Sequence, residues 1–311
     1  MLLSIHQTTS NVLKESVRIV VLNYQTAAET IALVKQLEQQ VFANLEIVVV
    51  DNDSSTEDQA ILSQSLPKSI HLVFSDTNLG YAGGNNLGLQ LQTGQRPDYQ
   101  LVLNSDISIS DPLFVQKMVD GFKIESQKNI FASSPLVNTS SSLLPIGYQI
   151  QVRKLLAPYQ MIWLSFSLFK KISPKLFKKF VYGAEQPYDH KYLFCDTING
   201  AAFMIEQSFL QQNGYLDQGT FLFHEELILG KQIQEAGGTC LLNGQASVDH
   251  QQGLSTGSNK KQFNAAMERH KYQSEIHLYQ KYYQLSPIGL KLFGLLKEIE
   301  IQAKSILRKI Q

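Results

Sequence analysis

VRIVVL (17–22), LEIVVV (45–50), IHLVFS (70–75) and YQLVLN (99–104) are the stretches whose reading decides the fold. Each is a short, nearly uninterrupted apolar run, most of them rich in β-branched residues, as a strand buried on both faces should be. After the first run, Ile31, Val34, Leu37 and Val41 recur at helical spacing. The second run stops at DNDSSTED (51–58), a cluster of turn and N-cap residues. The third leads into NLGYAGGNNLG (78–88), which reads as a glycine- and asparagine-rich loop. Strand and helix alternating at this rhythm predict an α/β domain, with a mostly parallel central sheet flanked by helices. Such sheets bind ligands at the carboxyl ends of their strands, near the point where strand order reverses. Asn23, Asp51, Asp53, Asn78 and Asp106 follow the strands and are expected to converge on one crevice.

Outward from this block the pattern is less regular. A Ser-rich turn falls within 138–190, along with LLAPYQMIWLSFSLFKKISPKLFKKF (155–180). A strand-like TINGAAFMI (197–205), the acidic FLFHEELILGKQIQEAGG (221–238) and SVDHQQGLST (247–256) follow, and the remainder is helical in pattern. No internal repeat or low-complexity tract is visible. The 311 residues carry 27 Lys+Arg and 27 Asp+Glu, a net charge of zero that excludes a protein gripping nucleic acid by bulk positive charge. Cys195 and Cys240 are too few for a disulfide framework or a four-thiolate zinc site, which points to a reducing, cytoplasmic setting. Residues 1–16 lack the basic start and apolar stretch of a signal peptide. No apolar run is long enough to span a bilayer unaided.

Several constellations carry chemistry. Asp51 and Asp53, at a strand end, either cap the following helix or accept hydrogen bonds from a base and a ribose. In 78–88, Gly80, Gly83, Gly84 and Gly88 permit close backbone approach to a ligand, and Asn85 and Asn86 cap or bond it. The spacing is neither GxGxxG nor GxxxxGK[ST], so the standard dinucleotide and P-loop readings fail. Asn104 and Asp106 have the i, i+2 spacing that turns two side-chain oxygens toward one hard cation such as Mg²⁺ or Mn²⁺, or form an Asx turn. Glu225 and Glu226 are either a solvated helix start or a general base beside a group that orients the acceptor. His250 is either structural or a ligand.

Taken in order, VVLNYQ (20–25), VVVDNDSSTED (48–58), NLGYAGGNNLG, LVLNSD (101–106), NGAAFMI (199–205), LDQGTFLFHEELILGKQIQEAGG (216–238) and VDHQQGLS (248–255) resemble the inverting glycosyltransferases of family 2. The resemblance implies a GT-A (Rossmann-like) domain over 16–255, with a nucleotide-sugar half at 16–111 and an acceptor and catalytic half at 112–255. A C-terminal helical extension occupies 256–311. By position, Asp51 and Asp53 would meet the base and ribose, with Asn23, Asn78, Gly84 and Asn86 on the same nucleotide-sugar side. Asn104 and Asp106 match the DXD-type site that holds Mn²⁺ or Mg²⁺ and the donor diphosphate, and His250 matches the histidine that completes it. Glu226 falls at the catalytic base, preceded by Glu225. Two departures stand out: the metal site has one carboxylate, and the base is Glu where Asp is usual. NLGYAGGNN and the Glu-Glu pair are closest to the rhamnosyltransferase-like branch of bacterial surface polysaccharide synthesis. That implies a dTDP-rhamnose donor, or alternatively a UDP-hexose or UDP-galactofuranose, and a lipid-linked glycan acceptor. The rival of another class is a catalytically weak nucleotide-sugar-binding or scaffold protein.

In PIGLKLFGLLKEIEIQAKSILRKIQ (287–311), Ile288, Leu292, Leu295, Leu296, Ile299, Ala303, Ile306, Leu307 and Ile310 fall on one helical arc, with Lys297, Lys304 and Arg308 on another. This helix packs on the domain or on a second copy of the chain, or lies in an anionic membrane surface. Trp163 and its apolar neighbours, followed by Lys170, Lys171, Lys175, Lys178 and Lys179, favour contact with the inner face of the cell membrane.

Overall fold

The apolar runs form the expected strands, each parallel to its neighbour. In a computed structural model describing residues 15–94, 96–139, 152–182, 191–251 and 265–310, β1 (Val17–Asn23), α1 (Ala27–Leu37), β2 (Leu45–Asp51), α2 (Thr56–Ser65), β3 (His71–Phe74), α3 (Gly80–Leu89) and β4 (Tyr99–Asn104) alternate as anticipated. Then come β5 (Ile107–Ser108), α4 (Phe114–Asp120), β6 (Ile130–Thr139), α5 (Pro158–Ser165), α6 (Ser167–Ile172) and α7 (Pro174–Phe180). The chain continues through β7 (Tyr192–Cys195), β8 (Ala202–Glu206), α8 (Gln207–Asn213), α9 (Glu225–Glu235), β9 (Thr239–His250), α10 (Ala265–Lys281) and α11 (Pro287–Ile310). The expectations for residues 1–14, most of the Ser-rich turn and the end of SVDHQQGLST lie outside the described residues.

The sheet runs in the order β3-β2-β1-β4-β8-β6-β9-β5, with β7 also paired to β9. Strands β3, β2, β1 and β4 are mutually parallel, and β8 runs antiparallel to β4. Order reverses between β1 and β4, so the crevice opens at their carboxyl ends. One face buries Ile19, Val21, Leu101 and Leu103 under Leu33, Phe114 and Met118. The other buries Val20, Val48, Val50 and Val102 under Ala82, Phe209 and Leu229. Arg18 is buried within β1, where its guanidinium binds Glu46 Oε2 (2.6 Å), Leu91 O (2.7 Å) and Thr93 Oγ1 (2.8 Å). A buried charge is tolerable only with such partners.

The stretch 78–88 is a correction to the loop reading: from Gly80 onward it is helix α3. Its glycines lower helix propensity but let the helix press onto the sheet. A Cβ at Gly88 would lie 2.6 Å from Val20 Cγ1, and one at Gly84 would lie 2.6 Å from Leu22 Cδ1. Gly80 adds a positive φ of 71°, and a Cβ there would stand 2.3 Å from the Phe221 carbonyl oxygen. Gly80→Ala is therefore expected to destabilise the fold by about 3 kcal/mol, combining backbone strain and overpacking. Gly94→Ala, with φ 85° but nothing within 4 Å, is expected to cost only about 1 kcal/mol. Urea midpoints of the two variants measure the difference.

A third apolar cluster joins Leu156, Met161 and Phe166 with Leu227, Ile228, Leu278, Tyr279 and Phe293. Through it α10 and α11 pack on the helices that carry the site. The face of α11 that packs is not the apolar arc. Phe293, Lys297 and Ile301 are buried, whereas Ile288, Leu292, Leu295, Leu296, Ile299 and Ile306 are exposed. Lys297 reaches inward because Glu275 on α10, also buried, meets its ammonium at 3.0 Å. No helix among the described residues is long and apolar enough to cross a membrane.

Candidate functional site

Asn23 and Asp51 end β1 and β2 directly opposite one another. Asn23 is fully buried; its amide nitrogen reaches Asp51 Oδ2 (2.7 Å), Ser54 Oγ (3.1 Å) and Asp58 Oδ2 (2.8 Å). Its oxygen accepts from the Thr26 and Thr30 hydroxyls at 3.2 and 2.7 Å. Asp51 Oδ1 accepts from Ser54 N–H (3.1 Å) and Gln59 Nε2 (2.9 Å). Both residues thus have their side-chain polar atoms engaged by protein and tie the strand ends together. Asp53 is the exposed member of the group, at φ 70°, and its Oδ2 accepts the Asn78 N–H at 3.1 Å.

Asn52 lies between them and was not singled out in the sequence. It is buried, donates to Asn78 Oδ1 and Gly80 O at 3.1 Å each, and accepts from Leu79 N–H at 3.0 Å. It therefore fixes the entry into α3. Asn86 is spent differently: its side chain exchanges two hydrogen bonds with the Leu216 backbone, at 2.8 and 3.1 Å. Gly84 faces Leu22 and Asn52. Asn23, Asp51 and Asn86 are thus buried with these hydrogen bonds, and Gly84 is buried against Leu22 and Asn52.

Asp106 and His250 do meet. β5 pairs antiparallel with β9, placing Ile107 opposite His250, and Gln251 N–H donates to the Asp106 carbonyl at 3.0 Å. Asp106 Oδ1 then lies 3.1 Å from His250 Nε2. Asp106 Oδ1 makes no hydrogen bond, and neither does His250 Nδ1 on the other side of the ring; both atoms are buried without a hydrogen-bond partner among the described residues. An orphaned carboxylate oxygen beside an imidazole is a donor set that suits Mn²⁺ or Mg²⁺. Asn104, half-buried, ends β4 two residues earlier. Among the described residues no group of three His, Cys, Asp or Glu side chains surrounds a common point. A cation held here would draw its other ligands from Asn104, a diphosphate and water.

Glu225 and Glu226 open α9, where the positive end of the helix favours carboxylates. Phe223 and His224 immediately before them both hold positive φ, 74° and 66°. Two consecutive left-handed residues store strain that the surroundings must impose. The surroundings include Glu275, whose Oε1 lies 3.6 Å from His224 Nε2. Glu225 is half-buried beside Tyr81 and Gln232, with its Oε2 atom out of contact with solvent, and desolvation, then the Glu226 charge, pushes its carboxyl well above the usual range. Burial, followed by the same two carboxylates, raises the Tyr81 phenol as well; its hydroxyl donates to the Gly200 carbonyl. Glu226 lies over Gly200, where a Cβ would come within 2.9 Å of Glu226 Oε1. Glu226 lines a cleft of about 240 Å³ together with Arg153, Phe180, Thr197, Phe223 and Lys271.

A raised carboxyl makes stability depend on pH in a stated direction. With Glu225 neutral, its full contribution is present below the ordinary value of 4.5. As pH rises past that value the unfolded chain releases its proton first, and stability falls until Glu225 also ionises. Glu225→Gln cannot ionise, so its melting temperature should gain on that of the native chain as pH rises. Parallel melting curves across pH would contradict this.

Asp217, in the segment before α9, is a hub that sequence spacing did not reveal. Its Oδ2 accepts from His277 Nε2 (3.0 Å), Lys281 Nζ (2.8 Å) and the Tyr282 hydroxyl, and its Oδ1 from Gly219 N–H (2.7 Å). Burial works against the charge, but these donors outweigh it and hold the carboxyl far below its usual value. The hub ties α10 to the approach to Glu225 and Glu226.

Residues 16–183 match the family model described as glycosyl transferase family 2. The chain is 26% identical over 214 residues to the low-salt glycan biosynthesis hexosyltransferase Agl10 of Haloferax volcanii, covering 68% of this chain and 60% of that relative. Its fold is similar to that of the mannosyltransferase PcManGT from Pyrobaculum calidifontis in complex with GDP-Man and Mn²⁺ (TM-score 0.54, 12% identity, 93% of this chain and 70% of that one). It is likewise similar to GalNAc-T7 with UDP, GalNAc and Mn²⁺ (TM-score 0.56, 15% identity, 87% and 48%). At these identities the two structures establish a shared GT-A fold.

Proposed function

Since this chain belongs to glycosyl transferase family 2, we propose that it moves a sugar from a nucleoside-diphosphate donor to an acceptor hydroxyl by a single inverting displacement. The observation that carries the reading is the pairing of two sites. Asp106 and His250 meet at the sheet's carboxyl edge, and Glu226 lines an open cleft at the start of α9. Asp53, Asn78 and Asn104 complete the donor side, on the frame built by Asn23, Asp51, Gly84 and Asn86.

Asp106 and His250, with Asn104, would hold Mn²⁺ or Mg²⁺, which neutralises the charge of a departing diphosphate. Glu226 takes the proton from the acceptor hydroxyl as that oxygen attacks the anomeric carbon. Glu225, whose carboxyl desolvation and the Glu226 charge push upward, holds its proton more readily than a carboxyl would in water. Gly200 leaves Glu226 the room to reach. The donor proposed first is dTDP-rhamnose, from the likeness of residues 78–86 and of the Glu-Glu pair to the rhamnosyltransferase-like branch. A thermal-shift screen over dTDP-, UDP- and GDP-sugars, with and without Mn²⁺, tests this. The expected result is the largest shift with dTDP-rhamnose and Mn²⁺. A UDP-hexose or UDP-galactofuranose in first place would replace the donor and keep the chemistry. Binding without transfer would favour a scaffold role.

The acceptor is proposed to be a lipid-linked glycan in cell-surface polysaccharide synthesis, reached from the cytoplasmic face of the membrane. Support comes from the exposed Leu168 and Ile172, interleaved with Lys170 and Lys171, and from the exposed stripe of α11. The two surfaces adjoin, because Ser167 N–H donates to Glu300 Oε1 of α11 at 2.7 Å. Basic residues beside an apolar stripe suit an anionic interface. Flotation with phosphatidylglycerol liposomes should carry the protein upward. No flotation, together with a dimer in sedimentation, would assign the stripe to a second copy of the chain.

A further inference from the structure

Helix α10 turns His270, Ser274, His277 and Lys281, which share one helical face, toward the segment that leads into α9. The His270 ring stacks on Phe221, with 4.7 Å between centroids. Ser274 Oγ donates to the Leu222 carbonyl at 2.8 Å. His277 and Lys281 both meet Asp217, and a Cβ at Gly219 would run into the His277 ring. From the other side, the Tyr81 N–H donates to the Phe221 carbonyl at 2.8 Å. The segment 217–222 is thus held between α3 and α10, and Phe223 and His224 then take left-handed backbone. Nothing local explains that conformation. An N-cap is ordinarily an extended Ser, Thr, Asp or Asn whose side chain caps the helix. His224 stands there at φ 66° with no side-chain cap. Its imidazole meets Glu275, the neighbour of Ser274 on α10, with Nε2 3.6 Å from Oε1. Glu275 is 1% exposed, and its Oε2 lies 3.0 Å from the Lys297 ammonium of α11. Burial opposes its charge, but His224, then Lys297 and Lys271, hold its carboxyl below the usual value. A buried carboxylate is costly unless cations face it. One of those facing Glu275 sits at the start of α9, the other on α11.

Resting on the reading of Glu226 as the base, we propose that Glu275 is its positioning residue, acting through His224. Phe223, His224 and Glu226 line the cleft, whereas Glu275 stands behind its wall. Glu226 is two residues beyond His224, at the first turn of α9. Leu227, Ile228 and Leu229 are fixed in the core, so a His224 released from its left-handed backbone would be accommodated by that first turn. Glu226 would then leave its place over Gly200. A misplacement of about 1 Å is enough to slow a reaction by about 10²-fold. Strained backbone persists only where its surroundings impose it, and Glu275 with Ser274 is that imposition. The C-terminal helices thereby serve the reaction. Lys297 holds Glu275, Glu275 holds His224, and His224 sets the turn that aims the base.

Glu275→Gln keeps the side chain's size and removes its charge. Turnover is read as nucleoside diphosphate released from the donor that the nucleotide-sugar screen places first, with Mn²⁺ present and water as acceptor. It is expected to fall at least about 10-fold, with KM for the donor within a few-fold. The same substitution is then made in Glu226→Gln. A residue that acts only through the base has nothing left to position there, so Glu275→Gln should cost less than about 2-fold in that background. Hydrogen exchange gives a readout that needs no substrate. Amides of 221–228 should exchange at least about 10-fold faster in Glu275→Gln, with those of β1–β4 unchanged. If circular dichroism shows Glu275→Gln unfolded, His224→Ala makes the same tests, because it removes the imidazole that Glu275 meets. Native turnover in the folded variant overturns the proposal. So does an equal fractional loss in the native and Glu226→Gln backgrounds, the mark of a structural role, and so does native-like exchange at 221–228. Failure of the base reading is distinguishable, since Glu226→Gln alone would then turn over at the native rate.

Discussion

Glu226→Gln should lower the rate of sugar transfer by roughly 10² to 10⁴, the range a positioned general base contributes, while nucleotide-sugar affinity stays within a few-fold. The substitution keeps the side chain's size and its place over Gly200, and removes only the basicity. The proposed donor side lies at the ends of β1–β4, on different elements from α9, so donor affinity is expected not to change. A loss of rate with KM for the donor intact is the signature of an interaction made only in the transition state. Near-normal turnover in Glu226→Gln would remove Glu226 from the role of base. Glu225→Gln serves as the control beside it: if Glu225 works neutral, its amide should preserve much of the activity.

Asp106→Asn is expected to be the second most damaging change. Asp106 Oδ1 is buried, 3.1 Å from His250 Nε2 and without a hydrogen bond among the described residues. Replacing the carboxylate by an amide keeps the shape and removes the single negative charge that a cation would find there. Transfer should fall by roughly 10²-fold or more, as the diphosphate leaves without its counter-charge. The Mn²⁺ concentration for half-maximal activity should rise at least about 10-fold. The native chain should lose activity in EDTA and regain it with Mn²⁺. Transfer that is indifferent to EDTA, in the native chain and in Asp106→Asn alike, would contradict the cation role.

Much of the donor half could be read from the sequence because its signal is local. Uninterrupted apolar runs make buried parallel strands, and the crevice rule then places Asn23, Asp51 and Asp106 at one edge. What the sequence does not carry is how far a polar atom's bonding capacity is already used. The hydrogen bonds that Asn23 and Asp51 make with Ser54, Asp58 and Gln59, from the next turn and helix, are not legible in the strand ends alone. NLGYAGGNNLG reads as a loop because glycine and asparagine are poor helix formers. Val20 and Val50, far off in sequence, are what reward glycine there.

The last helix shows the same limit. Its apolar arc is evident from periodicity, yet that arc faces outward, and Lys297 is drawn in by Glu275 on another helix. Arg153, Lys271 and Asp217 escaped notice for the same reason, since their partners are assembled by tertiary contacts. Net charge zero likewise conceals a division, with carboxylates at the strand ends and α9, and lysines along α6 and α7.

The central claim is a single displacement driven by Glu226. Its most direct measurement is the anomeric configuration of the transferred sugar, read by proton NMR on product formed from the donor that the screen selects. The mechanism predicts configuration opposite to that of the donor, and product from Glu226→Gln formed roughly 10² to 10⁴ times more slowly under the same conditions. Retained configuration, or inverted product from Glu226→Gln at the native rate, would contradict it.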